Sequence, residues 1–177
     1  YSSCSGEMTG LGSGSTDSTG AFTVDGLPPG EVYLRTSSPE HVLVWWDGAG
    51  GTTDCVGAVP VSIPQGSQEI GFRLFPGASI SGVVLDYMGG PIGGLSICAG
   101  TDCDVSVRCD GTDSSGNYSI AGLPPGSYSL EARSWETYVT GEWWSSAGGA
   151  ADCSGAELVS VTSTEQRTGF DFTLATD

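Results

Sequence analysis

Apolar residues recur at every second position over short stretches of this chain. Phe22 and Val24, Val32 and Leu34, and Ile70, Phe72 and Leu74 alternate with small or polar neighbours, as do Tyr118, Ile120, Tyr128 and Leu130 further along. A period of two places one face of an extended strand on a core and the other in solvent. No run with apolar residues at three-and-four spacing lasts three helical turns, so helices are not expected. Punctuation by 29 Gly and 9 Pro keeps the regular elements short, and the pattern predicts an all-β protein.

Two of these stretches are spelled alike. "DGLPPGEVYL" occupies 25–34 and "AGLPPGSYSL" occupies 121–130. The match runs without a gap from 15–36 onto 111–132, pairing Asp17 with Asp113 and Gly26 with Gly122. Beyond it, Trp45 and Trp46 answer Trp143 and Trp144, Asp54 and Cys55 answer Asp152 and Cys153, and "IGFRL" answers "FDFTL". The chain is a tandem duplication, with strands expected at corresponding places in both copies. Within the shared turn, Pro29 followed by Gly30 fits the two central positions of a type II turn, the second of which needs positive φ. Leu27 and Leu123, lying between strands, are placed to plug the end of a sandwich.

The copies are not equally complete. "PGASISGVVLDYMGGPIGGLSIC" at 76–98 reads as a strand, a Gly-Gly-Pro turn and a second strand. Nothing like it precedes the first copy, and residues 1–14 match only the stretch around Ile97 to Asp110. The expected domains are a partial sandwich over 1–75, lacking its opening strand, and a complete one over 76–177. A sandwich short of one strand exposes apolar core and a row of unpaired backbone groups. An upstream neighbouring repeat is the expected source of that strand; donation by another subunit, as strand complementation, is the alternative.

Charge narrows the partners. Against 21 Asp and Glu stand five basic residues, all Arg, for a formal net charge of −16. Nucleic acid is excluded, because its binding depends on a basic face that neutralises phosphates. No apolar stretch reaches the roughly 18 residues of a membrane span. Six Cys with a single His lack the close CxxC or Cys/His spacing of structural zinc. Disulfides formed in an oxidising compartment fit instead, so the protein is expected to be secreted or displayed on a cell surface.

The run T-D-x-x-G-x-[YF]-x-[IV]-x-G-L-P-P-G-x-[YV]-x-L, preceded by "SISGVVLDYMGGPIGGLSI", resembles the prealbumin-like (transthyretin-like) β-sandwich domains called carboxypeptidase regulatory-like. It is also similar to the Cna protein B-type and SdrD B-like repeats of bacterial surface proteins. The resemblance covers 76–177 as a whole domain and 1–75 as a partial one. It implies two tandem Greek-key sandwiches, and a role of the kind such domains fill as stalks in adhesins, spacers in secreted enzymes or self-assembling surface proteins. Some relatives are stapled by an isopeptide bond from Lys; this chain has no Lys.

Disulfides replace that staple. Cys4 and Cys55 are the only cysteines of the first copy, and repeat equivalence pairs Cys98 with Cys153 in the second, leaving Cys103 and Cys109 to close a local loop. Candidates for chemistry are sparse. His41 stands alone, with no GxSxG elbow to pair with, and Glu142 beside Trp143 is an isolated carboxylate; the chain is not expected to be an enzyme. Asp102, Asp104, Asp110 and Asp113 crowd one loop and could hold calcium, although their spacing is not that of an EF-hand. Asn117 opens a formal glycosylation sequon. Trp45, Trp46, Trp143 and Trp144 come as adjacent pairs, so at most one of each pair is expected in the core. The outer ones either cover the Gly-rich loop that follows, or anchor a neighbouring subunit, or stack on a glycan. Two functions follow: an extracellular structural or adhesive repeat protein, a stalk or fibre subunit; or a carbohydrate-binding accessory module of a secreted hydrolase.

Overall fold

The computed structural model describes all residues except 5–8, 64–68, 104, 135–140 and 176–177. It is all-β, and the chain divides into two units: Tyr1–Ser38 with Leu43–Phe75, and Pro39–Val42 with Pro76–Asp177. The division falls between Phe75 and Pro76, and the short excursion Pro39–Val42 belongs to the second unit. There it is tied down by backbone and side chain: Gly77 N donates to Glu40 O and Arg108 to His41 O.

The first unit has two strands among its described residues, β1 (Gly30–Val32) and β2 (Val61–Ile63), paired antiparallel. The second has nine: β3 (Ala78–Asp86), β4 (Ser96–Gly100), β5 (Ser106–Gly111), β6 (Asn117–Leu123), β7 (Gly126–Arg133), β8 (Glu142–Trp143), β9 (Val159–Val161), β10 (Gln166–Arg167) and β11 (Phe172–Leu174). They form two sheets. In one, β3 is central, antiparallel to β6 and parallel to β10 and β11. In the other, β4 and β7 are the interior strands, flanked by β5, β8 and β9. Alternating residues of both sheets meet in one core that includes Ile80, Ile97, Ile120, Leu130 and Phe172, each at most 2% exposed. That is the sandwich the alternation predicts.

Strands appear at only some of the corresponding places in the two copies, which corrects the sequence expectation. Phe22–Val24 and Ile70–Leu74 share the pattern of β6 and β11 but form no strand. A strand is defined by its ladder, and the element that pairs with both β6 and β11 is β3, for which the first copy has no counterpart. What the copies do share is the ladder independent of β3. Gly30↔Ile63 in the first unit corresponds to Gly126↔Val161 in the second. "HVLVWW" is likewise not a strand: His41 and Trp45 make only isolated bridges.

The repeated turn also differs from expectation. β6 ends at Leu123 and β7 begins at Gly126, in different sheets, so Pro124-Pro125 is a corner between sheets, a place where no ladder needs an N–H. The left-handed residue is the glycine before the leucine, with φ of +71° at Gly26 and +72° at Gly122. Gly30 has φ +134°, far from the value of about +80° that a type II turn requires. Leu123 is fully buried, as a plug should be, whereas Leu27 is half-buried.

Close approach of β3 to its neighbours needs a glycine at position 82. A Cβ at Gly82 would lie 2.2 Å from the carbonyl oxygen of Phe170, while one at Gly111 would meet nothing nearer than 3.8 Å. Gly82→Ala is therefore expected to destabilise the second unit by about 3 kcal/mol or more, and Gly111→Ala to be neutral or slightly stabilising. Chemical denaturation of the two variants checks the contrast.

Candidate functional site

The disulfides are where the repeat has its firmest chemistry, and two of the three expected pairings are overturned. Cys4 bonds Cys55, as expected, but the second unit pairs Cys98 with Cys109 and Cys103 with Cys153, in place of Cys98–Cys153 and Cys103–Cys109. Register is the reason: Cys98 and Cys109 are direct cross-strand partners on β4 and β5, with Cα atoms 4.0 Å apart. Cys103, beyond the end of β4, then reaches the single 3₁₀ turn that holds Cys153. The equivalent of Cys4 is thus Cys103. Sequence separations of 51 and 50 residues carried that signal.

Both 3₁₀ turns are capped alike. The Asp54 carboxylate accepts from Val56 N at 2.8 Å and the Asp152 carboxylate from Ser154 N at 3.0 Å. The chain leaving each turn is bonded to a tryptophan pair, Val59 N donating to Trp46 O and Glu157 N to Trp144 O. Trp46 N donates to Leu34 O and Trp144 N to Leu130 O, while Trp45 and Trp143 each exchange hydrogen bonds with the far side of a Gly-rich hairpin, at Thr52 and Ala150. Trp45 is buried and the other three are half-buried. Trp144 packs edge-on against Phe170 at 4.9 Å and Trp46 against Phe72 at 5.8 Å. Trp45 takes Tyr1 at 5.8 Å and the Arg35 guanidinium at 5.5 Å. These rings are spent largely inside their own unit. Trp46 also borders a shallow hollow of about 460 Å³, shared with Val59, Pro60, Ser62, Glu69 and Ile70.

Glu142 breaks the repeat in an apolar place. Its equivalent is Val44, which is fully buried and packs beneath Gly51; Glu142 lies beneath the matching Gly149, where a Cβ would collide with its carboxylate. Oε1 is buried without a hydrogen-bond partner among the described residues, and burial pushes the carboxyl above the usual glutamate range. Among the described residues Oε1 meets no nucleophile or base, so what sequence marks as a candidate acid is a carboxylate in a valine's site.

The described aspartates of the acidic loop each serve a turn or strand end. Asp104 lies outside the described residues. Asp102 accepts from Val105 N, Asp110 from Ser119 N, and Asp113 from Ser115 N and Asn117 N. Among the described residues, no three His, Cys, Asp or Glu approach one another as metal ligands would. Asp113 and its equivalent Asp17, which accepts from Thr19 and Ala21 N, are turn closers; those hydrogen bonds hold both carboxyls below the ordinary aspartate range. Asn117 contributes Nδ2 to Asp113 in the same turn. His41 meets Pro76 as a backbone bridge, and its carbonyl takes the Arg108 guanidinium at 2.7 Å.

Two outcomes are expected. Cleavage before Asp102, Asp104 and Asp110 separates Cys98, Cys103 and Cys109, so mapping without reduction should recover Cys98–Cys109 and Cys103–Cys153 peptides; a Cys98–Cys153 peptide would contradict the pairing. Glu142→Val should stabilise the second unit by about 1 kcal/mol at neutral pH. Because the folded carboxyl titrates above its unfolded value, its stabilising protonated form is complete below the unfolded pKa and lost as pH rises through the folded one. The advantage of the variant should therefore shrink toward acid, as measured by thermal unfolding across pH.

Three disulfides are compatible with an extracellular domain, and no helix among the described residues is long and apolar enough to cross a membrane. No curated protein matches the chain. The model of one family does, the carboxypeptidase regulatory-like domain, over residues 79–175. That span starts within β3 and runs to the end of β11, and the family is a non-catalytic β-sandwich. With more than half its length matched and the sandwich in place, the chain belongs to the carboxypeptidase regulatory-like domain family.

Proposed function

We propose that this chain is a non-enzymatic structural segment of an extracellular repeat protein, in which tandem carboxypeptidase regulatory-like units serve as a stalk or fibre subunit whose partners are neighbouring repeats of the same kind. The observation that carries this reading is the disulfide common to both copies, Cys4–Cys55 and Cys103–Cys153. In each copy it ties a cysteine ahead of the GLPPG stretch, Cys4 or Cys103, to a capped 3₁₀ turn, and so holds a part of the fold that does not depend on β3. In the chain-entropy account a bridge across a loop of this length contributes about 4 kcal/mol, a large share of the roughly 5–15 kcal/mol that small domains have in all. The net charge of −16 favours separation of such units in solution over collapse.

Resistance to proteolysis is the expected phenotype. The oxidised chain should survive a non-specific protease, and reduction should shorten its half-life by at least tenfold, with the first unit cut before the second. Equal survival of oxidised and reduced chains would remove the structural reading. The accessory-module reading finds its support in the hollow beside Trp46; a glycan array that lights up with the wild type and not with Trp46→Ala would favour it.

A further inference from the structure

The chain contains a single asparagine, Asn117, and it opens the sequence Asn-Tyr-Ser. That is the pattern at which a secreted chain accepts an N-linked glycan, where the middle residue is not proline and the site lies at the surface. In the structure these residues begin β6, and alternation along the strand separates them. Asn117 and Ser119 are exposed, while Tyr118 between them is 3% exposed and belongs to the core. Both polar members of the pattern therefore stand on the outer face, opposite Val83 and Ser81 of β3.

Asn117 has a structural use to weigh against this one, since its Nδ2 lies 3.3 and 3.2 Å from the two carboxylate oxygens of Asp113. The first copy decides how much that contact matters. There Ala21 stands in the place of Asn117, and the turn still closes: Ala21 N donates to Asp17 Oδ1 at 3.0 Å and Asp17 N to Ala21 O at 2.8 Å, against 2.9 Å for each of the matching bonds between Asp113 and Asn117. A turn that an aspartate closes on an alanine does not need the side-chain amide. Room for a substituent is present as well. An open hollow of about 300 Å³ lies beside Asn117, lined by Ser81, Gly82, Val83, Thr168, Gly169 and Asp171. Two glycines and four short side chains leave it accessible from solvent.

We propose that Asn117 is an N-glycosylation site, its Nδ2 bonded to the anomeric carbon of a glycan whose first sugar lies over the outer face of β3 and β6. The proposal rests on the extracellular reading above, because the donor is a glycan carried on a lipid pyrophosphate and used on chains that enter the secretory route. The Nδ2–C1 bond forms as the C1–O bond to the pyrophosphate breaks. The lipid pyrophosphate leaves with the electron pair, and one amide proton passes to a base of the transferase. The other proton stays on Nδ2, so the donation to Asp113 survives the modification. Tyr118 keeps its place in the core throughout, since the bond is made on the opposite face of the strand.

The full chain, placed behind a secretion signal and produced with its disulfides by mammalian cells, provides the test. With no other asparagine in the sequence, intact mass reads the site directly. Most secreted chains should be heavier than the sequence by an N-linked glycan. Peptide N-glycosidase should remove the increment and leave aspartate at 117, and Asn117→Gln and Ser119→Ala should each abolish it. The proposal is overturned if the secreted chain has its unmodified mass, if the increment resists the glycosidase, or if it survives Asn117→Gln. An unmodified Asn117 in a chain whose protease resistance is still lost on reduction would discard the glycan and leave the structural reading standing.

Discussion

Ladder hydrogen bonds from one strand, β3, decide what the rest of the second unit can be. It bonds β6 on one side and β10 and β11 on the other, so three segments that would otherwise be extended coil become a sheet. Its own inward residues then close the core against the β4–β7 sheet. The dependence is visible because the chain carries the same flanking sequences twice. Where β3 is present, Ile120 and Leu174 are 1% and 0% exposed; where it has no counterpart, Val24 is half-buried and Leu74 is exposed. Alternation specifies which face of a segment is apolar, and only a partner turns that segment into a strand.

A second layer of structure is indifferent to β3. Asp17 and Asp113 close matching turns, Asp54 and Asp152 cap matching 3₁₀ turns, and the tryptophan pairs clasp matching hairpins. These are local devices or short ladders, and each copy can form them alone. The long-range disulfide binds this layer together in both units. Much of the acidity thereby has a structural use, since several of these carboxylates accept backbone N–H groups that a Gly-rich chain could not otherwise satisfy.

Fold class and the sandwich were legible because period two and the GLPPG repeat are local signals. Three things were not legible. Strand status for Phe22–Val24 depends on a partner elsewhere, which alternation cannot report. The Cys98–Cys109 pair depends on β4–β5 register, and matching Cys98 to Cys4 hid the better match of Cys103. The left-handed glycine of the turn is Gly26 and Gly122, because the chain must change sheets there, and a rule for hairpin turns points to the wrong residue. Glu142 was noticed for its charge, but its meaning came from Val44, a comparison that needs the exact hairpin equivalence.

Amide hydrogen exchange of the oxidised chain, read segment by segment, tests most directly the claim that β3 converts shared sequence into sheet. Residues 118–123 should exchange orders of magnitude more slowly than their equivalents 22–27, while the β1 and β7 amides, whose ladders do not involve β3, should be protected in both units. Equal protection of 22–27 and 118–123 in the isolated chain would contradict the account.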